Sequence, residues 1–89
     1  MTKPARSLEF DIAGLEDLAW WIENDRKKAL RIIELIKDIR RDPFKGIGKP
    51  EPLKHEFAGL WSRRIDQEHR LVYDVKVDKI RILACRYHY

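Results

Sequence analysis

The sequence predicts an α+β domain in which two N-terminal helices pack on an antiparallel sheet of four to five strands. Three observations carry this. Apolar residues recur with the helical period between Leu15 and Ile39, the period changes to the alternation of strands after residue 54, and the later segments are joined by connections of only two or three residues. Connections that short allow only antiparallel hairpins. The 89 residues suffice for one core and not for two, so a single domain over 1–89 is expected.

Taken in order, Leu8-Glu9-Phe10 reads as a short strand and Asp11 as the N-cap of a helix. Leu15, Leu18, Ala19 and Ile22 then stand at the i, i+3, i+4, i+7 spacing of a buried stripe, with Trp20 and Trp21 sealing its edge. Asn24-Asp25 interrupts the pattern and caps a second helix, whose apolar positions are Ala29, Ile32, Ile33, Ile36 and Ile39. Its other face carries Arg26, Lys27, Lys28, Arg31, Lys37, Arg40 and Arg41, with Glu34 and Asp38 among them, the composition of a solvated helix face. Asp42-Pro43 ends this helix, because the residue before proline is driven out of the helical region. Three prolines and two glycines make 43–52 a stiff loop. Its Gly46-Ile47-Gly48-Lys49 lacks the spacing and the preceding strand of a phosphate-binding loop. Lys54–Phe57, Leu60–Ile65, Arg70–Val77 and Ile80–His88 follow as strands, with Leu71, Tyr73 and Val75 directed at the helices and Arg70, Val72, Asp74 and Lys76 away from them.

Charge and composition narrow the function. Hydrophobic residues at 44% and charged residues at 38% describe a globular chain, and no apolar run is long enough for a membrane helix. Asp11 interrupts the N-terminal apolar stretch where a signal peptide would continue, so a cytoplasmic location is expected. Cys85 is the only cysteine and the three histidines are scattered, which excludes an internal disulfide and gives no metal-ligand spacing. Set in an apolar strand, Cys85 reads as a buried, inert thiol. The net charge of +4 suits a polyanionic partner.

One set of residues has the makings of a reaction centre. Glu51 lies in the rigid Lys49-Pro50-Glu51-Pro52 segment, Lys54 follows it, Arg63 and Arg64 lie in the next strand, Arg70 opens the third, and His88 ends the last. A carboxylate, guanidiniums and an imidazole are what cleavage of RNA through its own 2′-hydroxyl requires: a base, cations for the phosphorane charge and an acid for the departing 5′ oxygen. No metal or other cofactor is needed for that chemistry. His55 lies near the same groove as a secondary candidate, while His69, beside Glu68 at a turn, reads as structural.

The stretch Asp42-Pro-Phe-Lys-Gly-Ile-Gly-Lys-Pro-Glu-Pro-Leu-Lys-His55, then Gly59-Leu-Trp-Ser-Arg-Arg-Ile65, Glu68-His-Arg-Leu-Val-Tyr73 and the ending Arg86-Tyr-His-Tyr89 resemble the YoeB/Txe toxins of bacterial toxin–antitoxin modules. The resemblance runs from about residue 8 to the end of the chain. It implies the RelE, microbial-RNase-like fold and a ribosome-dependent endoribonuclease that cuts mRNA in the ribosomal A site. It assigns the general base to Glu51, the transition-state cation to Arg70 and the general acid to His88. Lys54 and Arg64 fall on phosphate-contacting positions and Tyr89 on a substrate-positioning one. The partners it implies are mRNA, ribosomal RNA, a YefM/Axe-like antitoxin and a second copy of the chain, with no membrane. Two departures are a longer N-terminus and Leu60 in place of an aromatic before Trp61. The alternative is the gyrase-poisoning ParE branch of the same superfamily, which has no requirement for a carboxylate and terminal histidine pair.

Overall fold

The computed structural model describes residues 6–86. The elements are β1 (Ser7–Phe10), α1 (Ile12–Asn24), α2 (Arg26–Arg41), β2 (Glu51–Pro52), β3 (Leu60–Arg64), β4 (Arg70–Val75) and β5 (Lys79–Ala84), with a 3₁₀ turn at His55–Phe57. The strands form one sheet in the order β1-β5-β4-β3-β2. All neighbours are antiparallel except β1, which joins β5 in parallel with Ser7 opposite Lys79 and Phe10 opposite Ile82. Among the described residues, no helix is long and apolar enough to cross a membrane.

The helix caps follow from the aspartates. Asp11 accepts from the Ala13 amide, Asp25 accepts from the Lys28 amide, and both positions sit outside helical backbone geometry. In α2, Ala29, Ile32, Leu35, Ile36 and Ile39 are buried, against Leu71, Tyr73, Ile80 and Ile82 of the sheet. Ile33, expected inside, is 37% exposed, and Leu35 occupies the core instead.

The expected stripe of α1 is corrected. Leu15 and Ile22 are half exposed and Ala19 is exposed; the helix buries Gly14 and Trp21, with Leu18 partly covered. Gly14 determines this face. A Cβ there would stand 2.6 Å from the carbonyl oxygen of Ile82, so only glycine lets α1 lie this close to β5. Ile12, Leu15, Ala19 and Ile22 thus form an uncovered apolar stripe, the kind of surface that marks an interaction site.

The strand expected at Lys54–Phe57 is also corrected. Pairing begins three residues earlier, Glu51 opposite Ser62 and Pro52 opposite Trp61, and the chain then enters the 3₁₀ turn. Proline at the end of a two-residue edge strand is tolerated there because no outer neighbour needs its missing N–H. In β4 a register irregularity lies between Val72 and Tyr73, and Val72, on the face away from the helices, is nevertheless buried. The regular part of the last strand ends at Ala84 rather than running to His88.

Candidate active site

The site grows from the period-two alternation of β3. Arg63 and Arg64 are neighbours on a strand and so point to opposite faces. Arg64 is exposed on the face away from the helices; Arg63 is fully buried on the other. This corrects Arg63 as a substrate contact. Its Nε donates to the Tyr73 hydroxyl, Nη1 to the Asp38 carboxylate and the Ile47 carbonyl, and Nη2 to the carbonyls of Asp42 and Lys45. Those bonds occupy the whole donor set of a guanidinium. The Tyr73 hydroxyl in turn donates to the Pro43 carbonyl at 2.7 Å, so two core side chains hold the backbone of the 42–47 loop.

Beyond that anchor, the loop is fixed to β3 at 2.6 Å by the Arg64 amide donating to the Gly48 carbonyl, and by Leu53 donating to Leu60. Gly48 takes a left-handed backbone (φ 77) where a Cβ would meet Leu35 at 2.7 Å. Lys49 and His55, at φ 54 and 59, are non-glycine residues in the same region, one on each side of Glu51–Lys54. Such strain persists only where the surroundings impose it, and it clusters at functional sites. Glu51 thus sits in the edge strand itself, on a backbone anchored on both sides.

Directly paired residues share a sheet face. Glu51 stands opposite Ser62, Ser62 opposite Val72 and Val72 opposite Ala84, while Arg64 stands opposite Arg70 in the adjacent row. The structure thus brings Glu51, Arg64 and Arg70 onto the one face turned away from the helices. An open depression of about 390 Å³ beside them is lined by Glu51, Pro52, Leu53, Lys54, His55, Glu56 and Phe57, so Lys54 and His55 belong to the same locality. Lys49 Nζ lies 4.0 Å from the Glu51 carboxylate, which is half exposed.

Arg70 is braced by the turn before it. Its Nη1 donates to the carbonyls of Asp66 at 2.8 Å and His69 at 3.1 Å, and among the described residues its Nε and Nη2 carry no hydrogen bond. The turn itself is tied by Asp66, whose Oδ1 accepts from the amides of Glu68 and His69 and lies 3.2 Å from His69 Nδ1. Burial would raise the Asp66 carboxyl, but those amide bonds and the His69 ring outweigh it and bring it down to about 2. Lys28 lies 3.4 Å from the same carboxylate, and the His69 and Trp21 rings meet at right angles with their centroids 4.8 Å apart. His69 is structural, as its position at a turn implied.

Trp21 reaches the end of β5 as well. Its Nε1–H donates to the Cys85 carbonyl at 2.7 Å, the Cys85 amide donates to Asp17 at 3.0 Å, and the Arg86 guanidinium lies 3.6 Å above the Trp20 ring. Cys85 is fully buried and its thiol is pushed up to about 12, by burial first and then by Asp17, as expected of an inert residue. His88 and Tyr89, the expected acid and positioning residue, lie outside the described residues. Sequence reasoning missed the supporting roles of Arg63, Asp66 and Trp21. For Arg63 a signal existed, since one of two adjacent strand arginines must face inward.

Comparison with known proteins gives one consistent answer. Residues 10–89 match the family model of the YoeB-like toxin of bacterial type II toxin–antitoxin systems. The chain is 57% identical over 84 residues to toxin YoeB of Mycobacterium bovis, covering 94% of this chain and 99% of that protein. Its fold superposes on the YoeB dimer from Staphylococcus aureus with a TM-score of 0.88 at 44% identity, covering 97% of this chain and 100% of that one. It superposes on the YoeB–YefM complex from the same organism at 0.85 and 42% identity, with 97% and 100% covered.

Proposed function

Given that the chain belongs to the YoeB-like toxins of bacterial type II toxin–antitoxin systems, we propose that it is a ribosome-dependent endoribonuclease that cleaves mRNA in the ribosomal A site and so stops translation. The observation that carries this reading is the common exposed face of Glu51, Arg64 and Arg70, with Lys54 in the adjoining depression. Glu51 removes the proton from a 2′-hydroxyl, whose oxygen attacks the adjacent phosphorus. Arg70 takes the charge that develops on the phosphorane, and Lys54 and Arg64 hold its non-bridging oxygens. His88 gives its proton to the 5′ oxygen as the P–O bond breaks, leaving a 2′,3′-cyclic phosphate and a free 5′-hydroxyl. The nucleophile belongs to the substrate, so the cycle requires a base, cations and an acid, and no metal.

The ribosome supplies what this small surface lacks. An in-line geometry on a flexible strand has to be imposed, and orientation of reactants contributes several kcal/mol. The exposed cations of α2, Lys27, Lys37, Arg40 and Arg41 among them, offer contacts to ribosomal RNA. A YefM-like antitoxin and a second copy of the chain are the protein partners this reading carries, following the Staphylococcus aureus complex and dimer. A gyrase poison would leave Glu51 and its rigid support without a task. The deciding experiment is single-turnover cleavage of one message, free and in the A site, at equal protein concentration. Faster cutting on the ribosome is expected; equal rates would leave a general ribonuclease, and trapped gyrase without RNA cleavage would favour the alternative.

A further inference from the structure

We propose that Trp21 is a positioning residue for RNA cleavage, a single side chain that sets the two halves of the site relative to each other. This rests on the ribonuclease reading above. The indole is buried, 4% exposed, and has one polar atom, and that atom donates to the Cys85 carbonyl at 2.7 Å. Its ring packs at right angles to that of His69, with the centroids 4.8 Å apart. His69 contacts the Asp66 carboxylate, and the Asp66 carbonyl accepts from Arg70 Nη1 at 2.8 Å. One end of this chain of contacts is the transition-state cation. The other is the last backbone carbonyl before the segment that leads to the general acid, His88.

The arrangement exceeds what packing alone asks for. An apolar residue of similar size would fill the core between α1 and the sheet without fixing either neighbour's orientation. Here the N–H fixes the peptide at residue 85 from one side while Asp17 accepts its amide at 3.0 Å from α1, and Arg86 covers the adjacent Trp20 ring. Both peptide groups flanking Cys85 are therefore tied to one helix, and the direction in which the chain leaves β5 is set. That same helix presses on the turn bearing Arg70. A displacement of about 1 Å in a reacting group can lower a rate by about 10²-fold, so a side chain that registers cation-side and acid-side elements acts on turnover without touching RNA.

The test is a double-mutant cycle. Trp21→Phe keeps an aromatic ring in the core and removes the N–H together with the five-membered ring that carries it. On ribosomes at saturating concentration, at a temperature where the variant is folded, it is expected to lower kcat by about 10-fold or more with KM little changed, while the melting transition falls with the lost core volume. In a His88→Ala background the same substitution is expected to cost less than about twofold, since an acid that is absent cannot be misplaced. Asp17→Ala, on a less buried side chain, should reproduce the pattern and carries the test if Trp21→Phe fails to fold. NMR order parameters of the Cys85 and Arg86 amides should fall in both variants. Parent-like kcat in both variants, or a loss as large without His88 as with it, would overturn the positioning role and leave the ribonuclease reading standing. A parent protein that cuts no ribosome-bound message would overturn that reading, and this role with it.

Discussion

The fully buried guanidinium of Arg63, in the middle of β3, donates to the partly buried carboxylate of Asp38 on α2, and this pair lies under the loop that presents Glu51. Arg63 reaches Tyr73 and three loop carbonyls from the same planar group, a geometry that lysine cannot copy. Burial alone would raise the Asp38 carboxyl; bonds from Arg63, the Ile47 amide and Arg41 reverse this and hold it below the ordinary range.

Arg63→Ala should therefore destabilise the fold by about 3 kcal/mol, because it removes a buried side chain and strands a partly buried carboxylate and three carbonyls. Arg63→Lys should recover only part of the loss. Urea unfolding midpoints measure both. A midpoint for Arg63→Lys equal to that of the parent would show that charge, rather than the fork, is what the loop requires.

Glu51→Gln, Arg70→Ala and His88→Ala should each lower single-turnover cleavage on the ribosome by about 10²-fold or more. Glu51 is exposed at a sheet edge, so Glu51→Gln should leave stability within about 0.5 kcal/mol. Undiminished toxicity on expression of all three variants would remove these residues from the mechanism.

Lys54 and Arg64 are assigned to phosphate oxygens and are both exposed. Lys54→Ala and Arg64→Ala should weaken binding to ribosome-bound message at low salt and reduce the slope of log affinity against log salt by about 1 each. Binding isotherms at several salt concentrations give the slope. An unchanged slope would place the phosphate elsewhere.

Asp66 makes the turn before Arg70 sensitive to acid. Its carboxyl titrates at about 2 in the fold and at 3.8 ordinarily, so its contribution is complete above pH 4 and is lost as the pH falls through 2. Asp66→Asn should be less stable than the parent at neutral pH, and the difference should shrink steadily between pH 4 and pH 2. Urea midpoints across that range check the sign; a difference that grows on acidification would contradict it.

Much of this architecture was legible in the chain because its signals were unopposed. In α2 a single apolar stripe faces a strongly charged one, so Ala29, Ile32, Ile36 and Ile39 could face only inward. In α1 two apolar faces compete, Leu15-Ala19-Ile22 and Gly14-Leu18-Trp21, and periodicity does not rank them. The contact at Gly14 does, and it depends on β5, which lies far along the chain. Likewise Pro50 and Pro52 read as loop, whereas the observed edge strand needs only the ladder that β3 offers. In the candidate site, Glu51, Arg64 and Arg70 were found by residue type. The burial of Arg63 and the reach of Trp21 to Cys85 arise from tertiary contacts that no local pattern encodes.

The parallel pairing of β1 with β5 has a consequence for when this molecule comes into being. A chain made from its N-terminus exposes Ser7–Phe10 first, yet among the described residues their only neighbour in the sheet is Lys79–Ile82. The seat for Gly14 at Ile82, and the acceptor for the Trp21 N–H at Cys85, also arrive only with β5 and the residue after it. Until the last strand is free of the ribosome, the helices have no complete sheet to rest on, and long-range pairing of this kind forms late. The first strand and both helices are therefore made well before the surface that gives them their shape, and the fold closes in one late step rather than strand by strand.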